Sequence, residues 1–356
     1  MTHFLLDILR QPDELQRTIE FLGADGSRSL DAAAALVRSA RHVYLTGIGS
    51  SWHAALNAGA LFYAGSRPDY MLDAAELLQF AAFPRDTTII VISRSGQSIE
   101  IVQLLAKARE SGAKVIGITN SPDGPLAKQA QVSLTIPIAL DHAISVNTYS
   151  TLAASAGILA STVVRSFERG LASTLLQSIA EVPRAIPGWQ EQIANSDWLA
   201  PGSVTYFLAR GSSLGSCQEA RLLWEEGVKS PATAMGTGSF RHGPQEMVAK
   251  EMRFGMWIDG ARQREQDLAV ARDLRQLGAS VMLIGQHLSK DDGDLVFQLP
   301  EVPREWQFLV DIIPVQLVAE RLSRLSGVDC DSFRLCSYIV EDESGLFPKN
   351  AGKEKP

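Results

Sequence analysis

A strand, a glycine/serine turn and a helix follow one another twice in this chain, and that repetition restricts the fold more than any other feature. Tyr44-Leu45-Thr46-Gly47-Ile48-Gly49-Ser50-Ser51 reads as a short buried strand and a turn, leading into an alanine-rich helix from about Trp52 to Ala64. Tyr206-Phe207-Leu208-Ala209-Arg210-Gly211-Ser212-Ser213 has the same shape 162 residues later (206 − 44) and leads into a helix to about Glu226. After the first unit come a β-rich run Thr88–Ser93, a helix Ile99–Ser111 stopped by Gly112, and a strand Lys114–Thr119. After the second come Phe254–Ile258, a helix from about Arg264 to Leu277 stopped by Gly278, and Ser280–Ile284. Two β-α-β-α-β runs predict two parallel sheets with helices on both faces. Strand and helix alternate in any α/β protein. The shared Gly-Ser-Ser and the similar offset of the stop glycines, 166 residues (278 − 112), favour duplication.

A length of 356 residues suits two such domains. The expected division is a helical lead-in over 1–27, a first domain over 28–172, a connector over 173–200, a second domain over 201–342 and a tail over 343–356. Phe4–Gly23 reads as helical with a break at Pro12, and Ser173–Ser196 as an amphipathic connector interrupted by Pro183 and Pro187.

The net charge of -7 argues against a nucleic-acid or anionic-membrane binder, because phosphate backbones and anionic lipids require a basic face, but it leaves room for a local anion site. No apolar run is long enough to cross a bilayer, and Thr2–Gln11 lacks a signal-peptide pattern. Cys217, Cys330 and Cys336 form no Cys-x-x-Cys pair, which fits a reducing, cytoplasmic setting. The scattered histidines have no metal-ligand spacing, so no metal or other cofactor is expected.

The sharpest chemical signal is Ser93-Arg94-Ser95-Gly96-Gln97-Ser98, between a strand and a helix. Three hydroxyls and several backbone N–H groups meet at a helix N-terminus, where the macrodipole favours an anion. Gly96 permits close approach, and Arg94 adds charge. The competing explanation is a serine N-cap in a tight turn. Gly47-Ile48-Gly49 begins like a dinucleotide fingerprint, but the third glycine position falls at Trp52, and no P-loop spacing occurs. The second half has Ile258-Asp259-Gly260-Ala261-Arg262-Gln263 where the serine loop would be, so phosphate chemistry is expected in the first half alone. The second half carries Glu225-Glu226 at a helix end and Phe240-Arg241-His242-Gly243-Pro244 on a loop. A carboxylate and an imidazole suit proton transfer on a sugar, although a solvated helix end and a structural loop histidine explain them equally well.

The serine loop, the Gly-Ser-Ser turn and the His-Gly-Pro loop together resemble the sugar isomerase (SIS) domain family. The pattern is closest to the double-SIS isomerase half of glucosamine-6-phosphate synthase and to related phosphosugar isomerases and deglycases. The resemblance covers nearly the whole chain and implies two tandem SIS domains, each a flavodoxin-like three-layer sandwich. It makes Ser93, Ser95 and Ser98, with Gly96 and Gln97, the expected phosphate loop. It places Ser50 and Ser51 at the substrate end of the first strand and Ser145 on the sugar pocket. The family's proton-shuttling glutamate stands 16 residues before the His-Gly-Pro histidine; counting back from His242 selects Glu226 over Glu225. His242 is expected to assist ring opening and to reach a partner subunit's site, implying a homodimer. Two departures stand out. The synthase pattern has lysines where this sequence has Leu223 and, in the tail, Cys336. A start at Met1-Thr2-His3 is also unlike a glutaminase domain, so glutamine is not expected as nitrogen donor.

The expected function is aldose–ketose isomerisation of a sugar or amino-sugar 6-phosphate through proton transfer between C1 and C2. The alternative within the fold is a deglycase or deaminase of an Amadori-type or amino-sugar 6-phosphate. Outside enzymes, the alternative is a sugar-phosphate sensor, which would not need Glu226 and His242 together. Trp52, His53, Tyr149 and the segment Phe333–Tyr338 are expected to line the open side of the pocket and set the choice of sugar.

Overall fold

The structure, a computed structural model, describes residues 1–343, 345 and 346; the predicted tail over 343–356 lies almost entirely outside them. The first half comprises α1 (His3–Gly23), α2 (Ser27–Ser39), β1 (His42–Thr46), α3 (Ser50–Ala64), β2 (Tyr70–Met71), α4 (Ala74–Phe80), β3 (Thr87–Ile92), α5 (Ile99–Ser111), β4 (Lys114–Thr119), α6 (Pro125–Gln129), β5 (Val132–Thr135) and α7 (Asn147–Val163). A long helix α8 (Arg169–Ala194) connects it to β6 (Thr205–Ala209), α9 (Leu214–Leu223), β7 (Ala232–Gly236), α10 (Thr237–Phe240), β8 (Arg253–Trp257), α11 (Arg264–Gln276), β9 (Ser280–Gly285), β10 (Leu295–Gln298) and α12 (Ile313–Leu325).

Each half holds one five-stranded sheet, ordered β2-β1-β3-β4-β5 in the first and β10-β9-β8-β6-β7 in the second. All pairings are parallel, with Tyr44 opposite Ile89 and Tyr206 opposite Phe254 in the central pairs. Because helices cover both faces, a central strand such as β3, Thr-Thr-Ile-Ile-Val-Ile, is buried at every position instead of alternating. In each sheet the order reverses beside the first strand of its half, which opens a crevice at the carboxyl ends of β1 and β3 and another at those of β6 and β8.

The helix breaks expected at three prolines do not occur. α1 passes through Pro12, and α8 passes through Pro183 and Pro187. Tertiary packing outweighs the local penalty. α8 buries Leu175, Ile179, Val182, Ile186, Trp189 and Ile193 along one face, each worth ~1.5–3 kcal/mol, against ~3 kcal/mol for an interior proline. Pro183 and Pro187, four residues apart, stand exposed beside that buried face.

The two halves share a core. α7 is buried on nearly all sides and built largely from alanine, serine and glycine, which lets neighbouring helices come close. The tightest crossing is between α3 and α9 at Gly215. A Cβ there would meet Asn57 Oδ1 at 2.0 Å and the His53 carbonyl oxygen at 2.4 Å. The carboxyl end of the first sheet is thereby held against the helix that carries Glu226.

Candidate active site

The serine loop leaves β3 and enters α5 in a conformation fixed by its own hydroxyls. Ser93 Oγ accepts the Gly96 N–H at 3.1 Å, and Ser95 Oγ accepts the Gln97 N–H at 3.1 Å. Each hydroxyl keeps a proton with which to donate to an anion. Ser98 occupies the N-cap position of α5, and its side chain makes no cap hydrogen bond. Gly96 is required twice over: its φ is 65°, and a Cβ would meet Leu126 Cβ at 2.7 Å. The segment after β4 braces the loop, with the Asn120 N–H and Thr119 Oγ1 both donating to the Arg94 carbonyl oxygen at 3.2 and 3.0 Å.

Ser50 and Ser51 open α3 beside this loop, at the end of the adjacent strand. Ser50 Oγ donates to Glu219 Oε1 at 2.9 Å, and His53 Nδ1 lies 2.7 Å from Glu219 Oε2. Glu219 and His53 are both buried. This bond set joins the first half to α9 across 166 residues of sequence and was not anticipated. No local pattern in the sequence marks it, because the partners lie in opposite halves of the chain.

At its end α9 widens into a single π-helical turn, Trp224–Val228, which contains both glutamates. Such turns often accompany functional positions. Glu225 is exposed and pairs with Arg221 at 2.6 Å. Glu226 faces inward, and its pKa is raised from 4.5 to about 7, first by burial and then by the Glu219 carboxylate; Lys229 and Arg94 act in the opposite direction. Lys229 Nζ donates to the Glu226 and Ser332 carbonyl oxygens and lies 5.6 Å from the centre of the Phe333 ring. Burial lowers its pKa.

The C-terminal segment closes over the same region. Arg94 Nη2 donates to the Tyr338 carbonyl at 2.7 Å, and the Ile99 N–H, the first of α5, donates to the Val340 carbonyl at 2.9 Å. The Cys336 thiol is pushed up mainly by burial and also by the Glu226 carboxylate. The serine loop, Glu226, Lys229 and Cys336 are thus assembled from three distant stretches of chain.

The other expected site residues fall differently. Ile144, next to Ser145, packs over Gly227 where a Cβ would meet its Cδ1 at 3.1 Å, so Ser145 stands near the Glu226 turn. His242 sits on an exposed turn after α10, held by its backbone N–H to the Ser239 carbonyl. The charged groups that act most on Glu226 do not include it. His53 and Tyr149, expected on the open side, are buried; Tyr149 accepts a hydrogen bond from Asn57 at 2.9 Å. Trp52 faces a different cavity, at the second sheet. Among the described residues no group of three or more His, Cys, Asp or Glu is arranged to hold a metal ion, and no helix is long and apolar enough to cross a membrane.

The family model for the SIS domain matches residues 36–163. Over 354 residues the chain is 24% identical to an isomerizing glutamine–fructose-6-phosphate aminotransferase of Pyrobaculum aerophilum, a match that takes in 96% of this chain and 58% of the relative. The chain therefore spans little more than half the length of that relative. Among solved structures, the C-terminal domain of glucosamine-fructose-6-phosphate aminotransferase from Francisella tularensis superposes with a TM-score of 0.81 at 20% identity, covering 92% of this chain and 97% of that one. Glucosamine-6-phosphate deaminase from Thermotoga maritima gives 0.79 at 20% identity, covering 95% and 99%. At that identity the two structures establish the fold alone: two SIS-type α/β units in tandem, the first of which carries the segment matched by the SIS domain model.

Proposed function

We propose that this chain is an aldose–ketose isomerase of a sugar or amino-sugar 6-phosphate, with Glu226 moving the proton between C1 and C2. The observation that carries the reading is the state of Glu226, a carboxyl titrating at about 7 beside the serine loop. Near neutral pH such a group is present both as base and as acid, which a shuttle requires. In this reading Ser93, Ser95 and Ser98 donate to the phosphate, with the backbone N–H groups at the start of α5 supporting them. The Glu226 carboxylate removes the C2 proton of the open-chain aldose and negative charge develops on the C1 oxygen; the C2 hydroxyl proton passes to that oxygen, and Glu226 returns its proton at C1, leaving the ketone at C2. The Lys229 and Arg94 cations, whose fields already reach Glu226, oppose that charge build-up. His242, exposed and free of side-chain hydrogen bonds among the described residues, is assigned to ring opening across a homodimer interface.

A second reading, a deaminase or deglycase, is favoured by Leu223, which is wholly buried and apolar where the synthase pattern has a lysine. One experiment separates them. The protein is incubated with a panel of hexose and amino-sugar 6-phosphates, and the sugar products and released amine are assayed. Interconversion of an aldose and a ketose phosphate without amine supports isomerisation, and stoichiometric amine supports the second reading. Glu226→Gln is expected to lose turnover in either case, and a variant that retains full activity would refute the assignment of Glu226.

A further inference from the structure

The crevice at the carboxyl ends of β6 and β8 is not empty of design, although it lacks the serine loop of the first half. It holds a cavity of about 690 Å³, within the range of small-molecule pockets. Its floor is the turn Gly211-Ser212-Ser213 that opens α9, and the loop Asp259–Arg262 borders it on one side. These are the counterparts of the Gly49-Ser50-Ser51 turn and the serine loop. The far wall comes from the first half: Trp52, Leu56 and Tyr63 of α3, with Met71 beside them. The cavity therefore has a polar side and an apolar, aromatic side.

Three guanidinium groups, Arg210, Arg262 and Arg304, line it, against the carboxylates of Asp259 and Glu305. Counting Asp267, which pairs with Arg210 behind the wall, the charges balance (3 − 3), and the cation without a carboxylate of its own is Arg262. Two of the three are held rigidly. Arg304 Nε and Nη2 donate to the two oxygens of Asp259 at 2.6 and 3.1 Å, and Arg210 Nε donates to Asp267 at 2.7 Å and its Nη2 to Gln266 at 2.8 Å. The Asp259 carboxylate is consumed by that pairing and is held below its usual range by Arg304 and by backbone N–H groups. Arg262 has no ion-pair partner among the described residues. The Ser213 hydroxyl is committed, donating to the buried carboxyl of Asp311 at 2.6 Å while accepting from Gln307 Nε2 at 3.3 Å. Ser212, next to it on the cavity wall, has no such commitment.

We propose that this cavity is a second ligand site, separate from the serine loop and Glu226, and that it takes an organic phosphate ester with a flat apolar body. Oriented guanidinium groups and the turn at the start of α9 match the several oxygens of a phosphate. The Trp52 and Tyr63 rings match a planar, apolar group too wide for a bare sugar. The inference is independent of the isomerase reading, since no residue is shared between the two sites.

The test is calorimetric titration of the full chain with 1-naphthyl phosphate, in parallel with 1-naphthol and inorganic phosphate. Saturable binding of the naphthyl ester, at least about tenfold tighter than of either fragment, is expected. Arg262→Ala and Trp52→Ala, at positions that are not fully buried, should keep the parent's thermal midpoint and weaken that binding about tenfold each, the usual size of a lost charged or aromatic contact. Ser98→Ala and saturating hexose 6-phosphate should leave it unchanged. Absence of saturable binding to the parent protein overturns the proposal. So does a folded Arg262→Ala that binds as the parent does, or loss of binding in Ser98→Ala, which would put the ester at the serine loop. A protein inactive on every sugar phosphate but still binding the ester would sink the isomerase reading and leave this one standing.

Discussion

Replacing Glu226 by glutamine should make the protein more stable at high pH while abolishing turnover. The Glu226 carboxyl is raised from 4.5 to about 7, chiefly by burial and next by Glu219. Between those two values the folded chain keeps a proton that the unfolded chain has released, so stability falls as pH rises through the window and stays low above it. At ~1.36 kcal/mol per pH unit, ionising Glu226 in the folded state costs ~3 kcal/mol at pH 8 and less than ~1 kcal/mol at pH 5. Glutamine keeps the shape and removes the charge. With an unfolding entropy of ~2.1 cal/mol/K per residue, a chain of this length should gain about 4 °C at pH 8 and about 1 °C at pH 5. Scanning calorimetry of parent and variant at the two pH values measures the difference. A gain of equal size at both, or a loss at pH 8, would show that Glu226 is not held in an unfavourable charged state, and the argument for its shuttle role would fall with it. The same titration predicts that kcat/KM declines as pH drops below about 7, because the base form disappears.

Two further outcomes follow from the geometry. Ser98→Ala should raise KM for a sugar phosphate by about 10-fold or more, since a hydrogen bond to a charged oxygen is worth ~1.5–3 kcal/mol, with little change in the melting temperature because the Ser98 side chain makes no cap bond. Gly215→Ala should destabilise by ~2–4 kcal/mol, because its Cβ would overlap the Asn57 side chain and the His53 backbone at the α3–α9 crossing; urea unfolding would measure it, and an unchanged midpoint would mean that the two helices move apart freely.

What could be read from the sequence was local. β4 and α5 occupy the expected residues, because Gly112 ends α5 with a left-handed C-cap, φ 73°, and the flanking apolar runs leave little choice of boundary. The edge strands β2, β5, β7 and β10 were missed. β2 is two residues long, and the others lie at or next to a sheet edge, with fewer buried positions to mark them. The prolines misled because their cost is local and the packing that overrides it is not. The resemblance to the SIS family, through its glutamate sixteen residues before the His-Gly-Pro histidine, selected Glu226 over Glu225, and the structure gives them different surroundings, one paired at the surface and one more buried. The Glu219 bonds to Ser50 and His53 had no local signature, since the partners come from opposite halves of the chain. Neither did the approach of the C-terminal segment to the serine loop.

That approach bears on what a measured affinity at the serine loop would mean. The Ile99 N–H is already bonded to the Val340 carbonyl, and Arg94 to the Tyr338 carbonyl. Any anion that reaches either donor does so by exchange with a carbonyl tethered on the same molecule, present at an effective concentration that no dilution lowers. The observed constant is then a difference between two bonded states, and shortening or extending the C-terminus should shift it without altering a single residue of the loop.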